Sequence, residues 1–302
     1  LSSASTYTSV SRPIFEGEVS ETLPDSFVVA VYNGQTRLGD AVVTGSSWSF
    51  TPVSDLSDGR HAISAAVVSA SGIKGASSEV FSIVIDTIAP VTPVINKVTA
   101  DDVVNAAEQN GVISGRAEAS SVVTLTLGSV THSIQASAAG VWTHRLTSAD
   151  ITAISEGVQT ISATSRDLAS NVSAAATRTV TIDVSAPDAP VFSDVAVDNA
   201  VNSAELLSGV RIVGLAEVGS RVTLTLSSNN VQSIVVGEDG TWGYDLNTAA
   251  IKGIGQGSNE LSAVVTDAAG NISSVGTQTI SIDTVAPTMS TLTLSAGTDS
   301  GV

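Results

Sequence analysis

Val122-Val-Thr-Leu-Thr-Leu127 places an apolar side chain at every second position, and Val222-Thr-Leu-Thr-Leu226 does the same one hundred residues later. Successive side chains of an extended backbone leave on opposite sides, so period two is the mark of a strand with one buried face. The alternation returns at Ile161/Ala163 and at Leu261/Ala263/Val265. Punctuated by Gly, Ser, Asn and Asp, the surrounding chain predicts seven strands, near 94–99, 111–118, 121–128, 130–136, 140–146, 158–166 and 176–182.

The pattern belongs to a repeat. Asp86-Thr-Ile-Ala-Pro90, Asp183-Val-Ser-Ala-Pro187 and Asp283-Thr-Val-Ala-Pro287 stand 97 and 100 residues apart, and Trp48, Trp142 and Trp242 keep nearly the same beat, each closely preceded by a glycine (Gly45, Gly140, Gly240). Ile113-Ser-Gly-Arg-Ala-Glu118 matches Ile212-Val-Gly-Leu-Ala-Glu217. Seven short strands per repeat predict an all-β chain of tandem immunoglobulin-like seven-stranded β-sandwiches in a linear array. We place a divergent first repeat at 1–87, the second at 88–184, the third at 185–284 and the start of a truncated fourth at 285–302. Each tryptophan is expected to cover the core of its sandwich. An Ala-Pro step holds its alanine extended, so the junctions are short and stiff, and an elongated monomer is expected.

Composition narrows the partners. The chain is 42% hydrophobic and 14% charged, with aromatics at 4%, which suits small β domains and disfavours helix bundles. A formal charge of −17 repels phosphate backbones and anionic lipid heads, so neither nucleic acid nor direct membrane insertion is expected. No apolar run approaches the roughly 20 residues that cross a bilayer, and the opening LSSASTYTSV lacks the features of a signal peptide, so the chain reads as a fragment of something longer. Without cysteine there is neither a disulfide framework nor a thiolate metal site; surplus carboxylates leave a hard cation as the cross-link.

Catalysis is not expected. His61, His132 and His144 do not recur at matching positions and read as surface residues. Gly253-Ile-Gly255-Gln-Gly257 lacks the spacing and setting of a phosphate loop, and nothing resembles Gly-x-Ser-x-Gly with its partners in order.

The Asp-x-x-Ala-Pro junctions, the Gly-x-Ala-Glu turns at Glu118 and Glu217, Asp267-Ala-Ala-Gly-Asn271 and Gly-x-Trp resemble the bacterial Ig-like repeats of giant adhesins exported by type I secretion. The resemblance implies a secreted, calcium-binding, rod-like stalk on the bacterial cell surface. Neighbouring repeats would be its partners, and a host-surface glycan or receptor would be met through other regions.

The carboxylates carry the specific chemistry. In a sandwich of this topology the turn after the second strand and the turn between the last two strands share an end with the entering chain. The second repeat thereby gathers Asp86, Glu118 and Asp167-Leu-Ala-Ser-Asn171, and the third Asp183, Glu217 and Asp267-Ala-Ala-Gly-Asn271. With turn carbonyls these make a hard-oxygen shell for Ca²⁺, which takes 6–8 oxygen ligands. Ser69 stands in the first repeat where the others have Asp167 and Asp267, so its site is expected to be weak or absent. A second acidic group, Asp101-Asp102-Val-Val-Asn105 and its counterpart Asp198 with Asn202, is read in two ways: as a further calcium site with Asp150, or as turns and helix caps. A lectin-like module acting through the odd first repeat, which holds Tyr7, Phe15 and Tyr32, is the alternative function.

Overall fold

The computed structural model describes residues 6–227 and 230–291, and almost all of its regular structure is extended. The start of a fourth repeat therefore lies, beyond residue 291, outside the described residues. Two compact units divide the chain at Asp183, with Val104–Glu108 also counted to the second.

Within the first unit, residues 6–85 build two facing sheets. One runs Thr6–Thr8, Phe81–Ile85, Gly59–Ser69, Phe27–Asn33, Thr36–Asp40, with Lys74–Ser77 also paired to Gly59–Ser69; the other runs Phe15–Glu18, Ser47–Phe50, Val42–Thr44. Phe15 and Phe50 of the short sheet close on Val29, Val31, Ile63 and Ile83 of the long one.

Residues 94–182 repeat the plan. Val94–Ile95, Val112–Arg116 and Val141–Arg145 form the short sheet, and Val103–Val104, Ala176–Ile182, Gly157–Arg166, Val122–Leu127 and Val130–Gln135 the long one. The expected alternation is literal here, since Val123, Leu125 and Leu127 are wholly buried while their neighbours are not. The first strand is shorter than the expected 94–99, and Val103–Val104 is additional. The period-two reading also passed over a helix, α1 (Ser148–Ile154), that carries the chain from the short sheet to the long one. A capping box opens it, in which Thr147 Oγ accepts from Asp150 N while the Asp150 carboxylate accepts from Thr147 N.

The second unit holds the same two sheets once. Val191–Phe192, Val210–Leu215 and Thr241–Leu246 face Ala200–Asn202, Gly276–Asp283, Gly257–Thr266, Arg221–Ser227 and Asn230–Val235. Two short helices, α2 (Ser203–Ser208) and α3 (Thr248–Ile254), begin at the capping residues Asn202 and Asn247.

Each tryptophan also packs on a further glycine, across the strand pair rather than just before it in the chain. Gly17, Gly115 and Gly214 lie opposite Trp48, Trp142 and Trp242 across an antiparallel pair. A Cβ there would stand 2.5–2.8 Å from the indole atoms. At Gly115 and Gly214 it would also meet the carbonyl oxygen of Val94 at 1.8 Å and of Val191 at 2.2 Å, because a further strand covers the sheet edge. Among the described residues no strand pairs with the outer edge of Phe15–Glu18. A groove of about 930 Å³ lies open there, walled by Phe15, Trp48, Ile63, Val67 and Phe81. Trp142 and Trp242 are accordingly buried, and Trp48 only half so.

Candidate metal sites

The Asp-x-x-x-Asn loops organise themselves around their asparagine. In the second unit Asp267 Oδ1 accepts from Gly270 N at 2.7 Å and Asn271 N at 2.8 Å, a tight turn closed by its own carboxylate. Asn271 is 4% exposed, and its Nδ2 reaches Asp267 Oδ2 at 2.8 Å, Asp183 O at 2.9 Å and Asp183 Oδ1 at 3.2 Å. One amide therefore gathers the loop carboxylate and the carboxylate of the entering chain. In the first unit Asn171 Nδ2 donates to Asp167 Oδ2 and Asp86 O, both at 2.8 Å, while Asp86 Oδ1 accepts from Ile88 N at 3.1 Å. Glu118 and Glu217 are exposed; their carbonyls accept from Ser121 and Ser220. The structure thus joins the entering aspartate to the loop and leaves the glutamate carboxylates in solvent.

These donors suit a hard cation. Carboxylate oxygens of Asp183 and Asp267 share a single amide, backbone oxygen of Asp183 lies beside them, and no sulfur or imidazole is in the set. In the first repeat, by contrast, the Ser69 hydroxyl bonds Ser71 Oγ and Ile73 N, with no carboxylate in its place.

The second acidic group holds turns and caps. Asp101 Oδ1 accepts from Val103 N, and Asp198 Oδ1 from Ala200 N. Asn202 caps α2, and Asn105 accepts from Ala107 N and Glu108 N in the corresponding turn. Asp102 meets Arg178 through two bonds of 2.7 Å and also takes Val98 N. The Arg178 hydrogen bonds, chiefly, hold the Asp102 pKa down at about 2 against the cost of its burial. Within the second unit Asn105 Nδ2 also donates to Ala269 O at 3.0 Å, and Asn271 Oδ1 accepts from Ala106 N at 2.8 Å. An asparagine of the second acidic group is thereby brought to the Asp267–Asn271 loop.

Asp150 does not join that group. Its carboxylate, 1% exposed, accepts from His132 Nε2 at 2.6 Å, His144 Nε2 at 3.0 Å and both N and Oγ of Thr147. Burial opposes ionisation, yet the bonds from His144, Thr147 and His132 outweigh it and keep the pKa at about 2. The two imidazoles stack at 4.0 Å. Among the described residues this trio is the one set of three acidic, imidazole or thiol ligands within mutual reach. The expectation that the histidines are surface residues is therefore corrected. His132 and His144 are partly buried around Asp150, and His61, 7% exposed, bonds Asn33 Nδ2 and Ser57 O. Strand parity held the missed signal, since His132 shares a face with Ile134 and His144 with Trp142.

The three aromatics noted in the first repeat have three different settings. Phe15 is in the core, Tyr32 lies under Lys74 with the ammonium 3.9 Å from the ring centre, and Tyr7 is exposed on the first strand. No described helix is long and apolar enough to cross a membrane.

Residues 2–87 match the model of the bacterial Ig-like domain family. No curated protein matches the chain. Among solved structures, a 1.5-MDa bacterial ice-binding adhesin is 23% identical at a TM-score of 0.40, covering 91% of each chain. A Ca²⁺-stabilized adhesin with which an Antarctic bacterium binds ice is 23% identical at 0.43, covering 92% of this chain and 71% of its own. An immunoglobulin-like domain of the M. primoryensis ice-binding adhesin is 28% identical at 0.25, covering 32% of this chain and all of its own. By its sheets the chain is a series of immunoglobulin-like β-sandwiches, and its residues 2–87 carry the bacterial Ig-like signature.

Proposed function

We propose that the chain is a calcium-rigidified stalk segment of a large, type I-secreted bacterial surface adhesin. In this reading it spaces a distal receptor-binding region from the cell and supports adhesion to a host. In this reading the junction motifs resemble those of the giant non-fimbrial adhesin of Salmonella. The observation that carries the reading is the twice-repeated loop in which Asn171 or Asn271 ties a loop aspartate to the aspartate that enters the sandwich. Bound Ca²⁺ would supply a multivalent bridge between those oxygens. Asp167, Asn171 and Asp86 would hold one ion, and Asp267, Asn271 and Asp183 the other, with the exposed carboxylates of Glu118 and Glu217 as the further ligands this reading assigns. Cytosolic calcium is scarce and external calcium abundant, so an ion that binds the folded state alone favours folding after export.

Calorimetric titration tests this. Two Ca²⁺ per chain are expected, with a melting temperature that falls on adding chelator. Absence of calcium heat together with an unchanged melting temperature overturns the reading. The lectin alternative rests on the odd first repeat, where the open groove is walled by Phe15, Trp48 and Phe81 and also bears Glu16, Glu18 and Glu79. In the other two sandwiches the corresponding edge carries a strand of the chain itself. Specific glycan binding to this chain would restore the alternative.

A further inference from the structure

We propose that His132, His144 and Asp150 form a binding site for a divalent transition-metal ion of the zinc class, separate from the calcium loops and independent of the stalk reading. The three groups come from three elements of one sandwich, the strands Val130–Gln135 and Val141–Arg145 and the helix α1. Each turns inward by its place in the pattern. Their ligand atoms all lie within 4.8 Å of one another. Ligands about 2.0–2.1 Å from a tetrahedral ion stand roughly 3.3 Å apart. The present separations of 2.6 and 3.0 Å between imidazole nitrogen and carboxylate oxygen fall short of that by less than about 1 Å.

The chemistry of the set selects the metal. Two imidazole nitrogens and one carboxylate suit zinc and its neighbours and do not suit Ca²⁺, which takes oxygen alone. An ionised carboxylate only accepts, so both Nε2 atoms now donate a proton to Asp150. On metal binding that ring proton moves to Nδ1 or to solvent, and the Nε2 lone pair turns to the ion. Asp150 is oriented from behind by Thr147 N and Oγ, the outer support that a ligating carboxylate needs. Its hydrogen-bond partners include no lysine or arginine among the described residues, so a cation would complete its charge balance. The His132 side chain remains 27% exposed, which leaves solvent access for entry and for a fourth ligand.

The third sandwich supplies an internal control. His132 lies opposite Leu125, and Gln232 opposite the matching Leu224; His144 lies opposite Ile113, and Tyr244 opposite Ile212. Asp150 and Ala250 hold the same position in α1 and α3. Between two close copies, then, all three positions differ together, and the fold accommodates both sets.

The test uses the whole chain without an oligohistidine tag, in excess Ca²⁺. Titration with Zn²⁺ should show one ion per chain, Co²⁺ should give visible absorption, and the Nε2 resonances of His132 and His144 should move while those of His61 stay. The triple variant H132Q/H144Y/D150A carries the third sandwich's residues. It should keep its β-sheet circular dichroism and bind Zn²⁺ at least about a hundredfold more weakly. The proposal is overturned if the wild type takes up no stoichiometric Zn²⁺, if Ca²⁺ displaces it, or if the folded triple variant binds it as well. Should that variant fail to fold, the imidazole resonances of the wild type decide, and unmoved His132 and His144 signals at saturating Zn²⁺ sink the idea.

Discussion

Gly115→Ala should unseat a strand, and Gly17→Ala should not. The two glycines hold the same place in successive sandwiches, each opposite a tryptophan, and a new methyl group would stand 2.5 Å from Trp142 in one and 2.6 Å from Trp48 in the other. The difference is behind the sheet edge. At Gly115 the methyl would also stand 1.8 Å from Val94 O, and a normal contact needs roughly 3.2 Å or more. Val94–Ile95 would have to retreat by more than about 1.4 Å, which ends its pairing with Arg116 and Gly115. Two ladder hydrogen bonds at about 1 kcal/mol each and overpacking of buried Trp142 at about 1–3 kcal/mol oppose a gain of about 0.4–1 kcal/mol from a stiffer unfolded chain. The net is a loss of about 2–4 kcal/mol.

At Gly17 the nearest obstacles are all atoms of a half-buried indole beside an open groove, so Trp48 can yield and the loss should stay under about 1 kcal/mol. Native-state hydrogen exchange resolves the sandwiches separately, which bulk unfolding of a multidomain chain does not. In G115A, amides of Val122–Leu127 and Ala176–Ile182 should exchange about 30- to 1000-fold faster. G214A should behave alike, with Val191 O at 2.2 Å. Wild-type exchange in G115A, or an equal acceleration in G17A, would refute the claim that the covering strand makes glycine obligatory.

Asn271→Ala removes a buried donor from Asp183 O and Asp267 Oδ2, and native-state hydrogen exchange in the third sandwich should show a loss of about 1–3 kcal/mol. The Asp102 pKa is lowered from 3.8 to about 2, so this group's stabilisation is complete above pH 4 and fades as pH falls toward 2. Allowing for solvent screening it is worth about 1 kcal/mol, and Arg178→Met should flatten that stretch of the stability profile; an unchanged profile would contradict the pairing. Asp167→Ser copies the Ser69 of the first repeat and should abolish one of two calcium sites, each of a class near 10⁻⁴–10⁻³ M, as read by calorimetry. Retention of both sites in D167S would remove Asp167 from the ligand set.

Much of the fold was legible because a strand writes its burial into alternate residues. Val122–Leu127, Gly157–Arg166 and Ala176–Ile182 fell close to their expected places, since each packs one face on a core and presents the other to solvent. The helices α1 and α3 were not legible by the same rule. Seven residues give fewer than two turns of apolar spacing, and the signal for α1 is instead the capping box Thr147-Ser-Ala-Asp150. Of the candidate metal residues, Asp86, Asp167 and Asn171 could be grouped because they follow from where loops return in a sandwich. The second acidic group could not be told apart from a set of caps, because Asp and Asn close turns and bind cations through the same oxygens; Arg178, 76 residues from Asp102, decided one of them.

The histidines show how a repeat misleads when recurrence alone is taken as the sign of function. Their failure to recur argued against a role, yet non-recurrence is what a site private to one sandwich produces. Parity is the stronger physical test. Side chains at 130, 132 and 134 must share a face, and so must those at 142 and 144, whatever the other copies carry. Two polar residues on the inner face at the sandwich margin, with an acid in the cap that crosses it, cannot be left without partners, because a buried polar group costs about 1–3 kcal/mol when unmatched. The third copy meets the same constraint by replacing all three at once with Gln232, Tyr244 and Ala250. A scaffold whose β-layers are kept by alternation is free to change what lies at that margin, provided the inward residues change as a set.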